Sequence, residues 1–88
     1  MEDIFYLYDY KETTNTRFVS FVGDSQRFDL AIISSDRFFG KQLVLDMQSN
    51  TFAILGSDDL EEEGYLESAY SLTAQQAEEL RGFLEQII

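Results

Sequence analysis

The chain has 88 residues and a net charge of −11, from 17 acids and 6 bases, and it lacks both Cys and His. That length suits a single domain, residues 1–88, whose core hides roughly 60–65% of the unfolded surface. The missing residue types exclude disulfides, thiolate zinc sites and imidazole ligands, so no cofactor is expected, and the negative field argues against nucleic acid or an anionic membrane surface as partner.

In chain order, Met1-Glu2-Asp3 carries the wrong charge for the start of a signal peptide. No apolar run reaches the ~18 residues of a membrane span, so the cytoplasm is the expected compartment. "IFYLYDY" is aromatic and β-prone, and "KETTN" separates it from the next run. "TRFVSFVGDSQRFDLAII" reads as two strands around Gly23-Asp24-Ser25. In "KQLVLDMQSNTFAIL" two β-rich runs flank Ser49-Asn50, and Asn tolerates the positive φ of a tight hairpin turn. These runs predict five strands, at about 4–9, 16–22, 27–33, 42–48 and 51–55, in meander order.

Next comes "DDLEEEGYLE", residues 58–67, with six carboxylates and no base. A calcium loop spaces its ligands at alternate positions with a glycine at the sixth, whereas these acids are crowded and Gly64 follows them. A solvated loop or helix start, capped by Ser57 or Asp58, is the expectation, with no metal. "GYLESAYSL" is ambiguous: Leu66, Ser68, Tyr70 and Leu72 alternate like a strand, while Leu66, Ala69 and Tyr70 suit a helical turn. An extended segment is the reading adopted. Thr73 and Gln76 then form a capping-box pattern, and Ala77, Leu80, Phe83, Leu84, Ile87 and Ile88 follow helical spacing, which predicts a helix over 74–88. The fold class is therefore α+β: a mostly antiparallel five-stranded meander with one C-terminal helix on one face.

Turns centred on Ser25, on the 34–41 loop and on Ser49-Asn50 sort the side chains. One face collects Phe18, Val22, Phe28, Leu30, Ile32, Leu43, Leu45, Met47, Phe52 and Ile54, and the helix is expected there. The other carries Arg17, Val19, Phe21, Arg27, Asp29, Ala31, Ile33, Val44, Asp46, Ala53 and Leu55, too apolar for a solvated face. Val19, Phe21, Val44 and Leu55 are thus candidate interface residues, and a homodimer through this face or the sheet edges is the expected state.

Three constellations carry candidate chemistry. Arg27, Asp29 and Asp46 form a face cluster in which the two carboxylates are expected cross-strand neighbours, able to share a proton or bind a cation; a structural Arg27–Asp pair is the plainer reading. The repeated Arg-Phe pairs leave Arg17, Arg37 and Lys41 as a basic corner for an anion, the plainer reading being ion pairs with nearby acids. Finally, residues 58–88 hold nine acids and one base, against eight and five over residues 1–57, which permits a basic protein as partner.

The segments "RFVSFVG", "QRFDLAII", "DRFFGKQLVLDMQS", "FAILGSDDL" and "GYLESAYSL" resemble a family of short cytosolic proteins from bacilli, staphylococci and related Gram-positive bacteria, classed as a domain of unknown function. The resemblance spans nearly the whole chain. It implies a cytosolic bacterial setting and brings no catalytic residues. The leading expectation is a non-enzymatic interaction or regulatory protein. The alternatives are a small carboxylate-based hydrolase or divalent-metal-binding protein using Asp29 and Asp46, and an acidic mimic of nucleic acid that binds a basic protein.

Overall fold

The computed structural model describes residues 3–88. Four strands, β1 (Asn15–Val22), β2 (Arg27–Ser34), β3 (Gln42–Asp46) and β4 (Thr51–Leu55), form one antiparallel sheet in the order β1-β2-β3-β4. Three helices follow, α1 (Ser57–Glu61), α2 (Tyr65–Tyr70) and α3 (Ala74–Leu84). The class and the antiparallel order are as expected, but the described residues form four strands rather than five and three helices rather than one.

Local chemistry sets these boundaries. Gly23 N–H donates to the Gln26 carbonyl at 2.8 Å and closes the β1–β2 turn. β3 stops at Asp46, two residues early, because the Asp46 carboxylate accepts the Gln48 N–H at 3.1 Å and starts a turn. Asn50 then takes the positive φ, 58°, that the sequence assigned to it. α1 begins with Asp59 Oδ2 accepting the Gly56 N–H at 2.8 Å. Gly64, at φ +80°, separates α1 from α2 in a conformation that favours glycine.

The extended reading of 65–72 fails for a reason visible in α2. Leu66 and Tyr70 are buried one helical turn apart, while Ser68 is exposed. As a strand, the segment would bury Ser68 on the same row as both. The helix turns it outward and lets the Tyr70 hydroxyl donate to the Val44 carbonyl at 2.7 Å. α3 starts with the expected box, Gln76 N–H to Thr73 Oγ1 at 3.2 Å and Thr73 N–H to Gln76 Oε1 at 2.9 Å. It ends at Leu84, short of the expected 88, in tightened turns from Gln86 to Phe83 and Ile87 to Leu84.

The registers are Val19↔Leu30 and Phe21↔Phe28 across β1–β2, and Ile32↔Val44 and Leu30↔Asp46 across β2–β3. Both differ by one residue from the expected pairing, and a one-residue slip moves a whole row of side chains to the opposite face. β2 therefore sides with the other row of β1, β3 and β4. Phe28, Leu30, Ile32, Val44 and Leu55 point at the helices and pack with Leu60, Leu66, Tyr70, Ala77, Leu80 and Leu84. Phe21 stacks on Phe28 and Phe83, with ring centroids 5.0 and 4.6 Å away. α3 is also pinned to the β1–β2 turn, where the Ser25 N–H and Oγ donate to Glu79.

This placement corrects the interface expectation. Val44 and Leu55 are 0% exposed, and Val19 and Phe21 pack against the same core. Val44 and Leu55 are sealed by the protein's own helices, and Val19 and Phe21 are half-buried beside them.

The expected strand at 4–9 is also absent. Residues 3–14 form an arm without helix or strand. Arg37 takes hold of it, donating to the Tyr8 hydroxyl at 3.0 Å and lying 5.8 and 5.4 Å from the Tyr8 and Tyr10 ring centroids. Ser35 Oγ adds a hydrogen bond to Glu12. The radius of gyration, 15.1 Å, exceeds the ~12 Å of a compact chain this long, as a protruding arm requires. A β-prone run becomes a strand only where it finds a pairing neighbour, and this arm finds none among the described residues. Among the described residues, no helix is long and apolar enough to cross a membrane.

Candidate functional site

The helices cover one side of the sheet, which leaves the other to be accounted for. Its rows are Phe18, Ser20 and Val22 from β1, Arg27, Asp29, Ala31 and Ile33 from β2, Leu43 and Leu45 from β3, and Phe52 and Ile54 from β4. Phe18 is 71% exposed, Val22 79%, Phe52 63% and Ile54 42%. The two phenylalanines alone show roughly 270 Å² to solvent, on the scale of aromatic side-chain areas. With Leu43, Leu45 and Ile33 half-buried between them, this is a contiguous apolar surface of the kind that marks an interface. Sequence reasoning grouped most of these residues correctly and then put the helix over them.

Among the described residues, the charges on this face are Arg27 and Asp29, and they are paired. Arg27 Nε and Nη2 both lie 3.1 Å from Asp29 Oδ1. Asp29 also accepts hydrogen bonds from Ser20 Oγ and, at 2.6 Å, from Gln48 Nε2. The Ser20 hydroxyl, then Gln48 and Arg27, hold the Asp29 carboxyl below the usual aspartate value. Asp46 lies elsewhere. It is 3% exposed and pairs with Leu30, whose side chain points into the core, so the two carboxylates sit on opposite faces of the sheet. The one-residue register difference takes away the shared-proton or cation-binding pair and leaves Arg27–Asp29 as a surface ion pair.

The basic corner separates in the same way. Lys41 Nζ lies 2.9 Å from Asp59 Oδ2 and 3.5 Å from Asp58 Oδ2, tying the start of β3 to α1. The Asp59 contact, then Asp58, raises the Lys41 pKa, and Asp59 is lowered by the Gly56 N–H and by Lys41. Arg37 is turned to Tyr8, Tyr10 and, at 3.9 Å, Glu12. Arg17 is exposed and makes no ion pair among the described residues. A recess of about 470 Å³ between the arm and the β2–β3 loop is lined by Glu12, Asp36 and Lys41 among polar groups, so its charge is mixed.

The acidic run also divides by role. Asp58 and Asp59 serve Lys41, and Arg81, 3.9 Å from Glu67 and 2.6 Å from Glu78, donates its Nε–H to the Leu60 carbonyl at 2.9 Å. Glu61, Glu62 and Glu63 are exposed and make no ion pair among the described residues. No group of three or more acids there is placed to hold a metal ion.

Sequence reasoning missed the arm as an unpaired element. Ile4, Phe5, Tyr6, Leu7 and Tyr8 are 66–95% exposed. The signal that could have found it is "KETTN", a polar break too long for a tight hairpin back onto the next strand. It also missed Phe39, 93% exposed at φ 53° in the β2–β3 loop, a conformation bulky residues seldom take.

No curated protein matches the chain. A family model described as SAV0927-like matches residues 7–86, from within the arm to the end of the helical layer. The chain belongs to the SAV0927-like family, a family of unknown function.

Proposed function

We propose that this protein is a non-enzymatic interaction protein of the cytosol, regulatory in role, which works as a homodimer through the open face of its sheet. The observation that carries this reading is the exposure of Phe18, Val22, Phe52 and Ile54 on the face opposite the helices. A small soluble chain gains by covering such a surface. Charge favours the same face: on a chain of −11 it carries one acid, and that acid is paired with Arg27. Two copies meeting there bring no net charge into contact, whereas their helical layers repel. The hydrolase alternative keeps no support from geometry, since Asp29 and Asp46 face opposite ways.

Light scattering at high micromolar concentration tests the reading. The expected mass is twice 10.2 kDa, and Phe52→Glu should return it to one chain. A wild-type monomer contradicts the proposal. A second, acidic surface for a basic protein is favoured by the three unpaired glutamates Glu61–Glu63. Binding to a basic partner should then weaken with salt and in a variant with all three changed to Gln.

A further inference from the structure

We infer that the open sheet face is covered by the N-terminal arm of a second copy, each chain lending its arm to the other. This rests on the homodimer proposed above and assigns the contact that completes it.

The first reason is area. A stable interface needs about 800 Å² from each partner. The open face supplies only a few hundred, roughly 270 Å² of it from Phe18 and Phe52. Phe5 and Leu7 in the arm, 90% and 95% exposed, add roughly 350 Å² on the same scale. Face and arm together approach the required size.

The second reason is pattern. In an extended arm, alternate side chains share a row. Phe5 and Leu7, the most exposed at 90% and 95%, fall on one row and have no polar atom. Tyr6, Tyr8 and Tyr10 fall on the other and carry hydroxyls that tolerate water. The stretch Ile4–Tyr8 is thus an amphipathic strip with an apolar Phe5–Leu7 edge and no charged residue, flanked on that row by Asp3 and Asp9. It is as neutral as the face it would cover.

The third reason is tethering. Arg37 on Tyr8 and Tyr10, with Ser35 on Glu12, fixes the arm at the β2–β3 end of its own sheet. There its apolar side chains and those of the open face both remain in solvent. Extended strand rises ~3.3 Å per residue, so Ile4–Leu7, beyond the Tyr8 tether, reaches roughly 13 Å, most of the roughly 15 Å between the first and last of four strands. An exchange between two copies satisfies one arm and one face per chain and closes with two-fold symmetry.

The chain has no Cys, so single cysteines report the contact cleanly. Leu7→Cys protein is mixed with Phe18→Cys or with Phe52→Cys protein and oxidised at high micromolar concentration. The expected product is a covalent heterodimer of twice the chain mass, formed at least tenfold faster than with Leu7→Cys and a cysteine at exposed Ser68 on the helical side. If neither face position cross-links while scattering still shows a dimer, the arm exchange is overturned and the open-face homodimer stands. If Leu7→Cys combined with Phe52→Cys closes within a monomer, the arm covers its own face and both readings fall. A second variant, Leu7→Asp, should raise the dissociation constant at least tenfold without changing the melting temperature of the dilute chain, and an unchanged constant contradicts the inference.

Discussion

The two faces of this sheet are comparably apolar, yet only one is sealed. Beneath the helices, Phe28, Leu30, Val44 and Leu55 are 0% exposed; across the sheet, Phe18, Val22 and Phe52 are 63–79% exposed. Hydrophobicity did not choose between them. The side was set by connections: β4 leads through the single residue Gly56 into α1, and α3 is fixed to the β1–β2 turn by Glu79 and Ser25. What the difference teaches is that a greasy strand row is core only if the chain's own geometry brings a cover to it.

Substitutions can break or sharpen this contrast. The largest effect belongs to the sealed face: Leu30→Ala should destabilise the dilute chain by about 3 kcal/mol in chemical denaturation, from lost transfer energy and a cavity. The matching change on the open face, Phe52→Ser, should alter dilute-chain stability by less than about 0.5 kcal/mol while weakening self-association at least tenfold. Equal stability losses at the two positions would erase the distinction between the faces.

Tyr70→Phe comes next. It removes the buried hydrogen bond to the Val44 carbonyl and should cost about 1 kcal/mol at neutral pH. Burial also pushes the Tyr70 hydroxyl pKa well above its ordinary 10.0. The unfolded chain therefore releases that proton first as pH rises above 10, and stability falls there. Lys41, whose pKa is raised from 10.5 by Asp59 and Asp58, adds to the same alkaline loss. The Tyr70→Phe variant should keep only the shallower Lys41 part of that slope in alkaline melts.

Asp29 has the smaller, opposite signature. Its folded pKa lies below 3.8, held there by Ser20, Gln48 and Arg27. Its contribution is complete above that value and is lost as pH falls through the folded one. Asp29→Asn should lower stability slightly at neutral pH and flatten the acid limb, so that the two profiles converge as pH falls below 3.8. Phe39→Gly is expected to be the mildest: relief of the left-handed conformation at φ 53° should stabilise the chain by up to about 1 kcal/mol.

Much of the fold was legible in the sequence, and its limits are physical. Asn50 at the last turn, the Thr73–Gln76 box and the helical stripe through Ala77, Leu80 and Leu84 were readable because each is local. Face assignment was not, because it turns on loop parity: a four-residue turn at Gly23–Gln26, rather than one centred on Ser25, sends Phe28 to the side of Phe21. Val44 and Leu45, or Ala53 and Phe52, offer no strong preference to correct the error. The Asp29–Asp46 pairing inherited the same fault. For the arm, "IFYLYDY" shows strand propensity but cannot reveal whether a neighbour awaits it. An apolar sheet face without a cover, by contrast, was expected from the sequence, but on the opposite side from the exposed Phe18, Val22 and Phe52.

The most direct test is a dilution series of aromatic-ring NMR spectra that follows Phe18 and Phe52 against Phe28. The account predicts that the two open-face rings shift together as the chain goes from low to high micromolar concentration, while Phe28 holds still. Spectra of Phe18 and Phe52 that do not change across that range would contradict it.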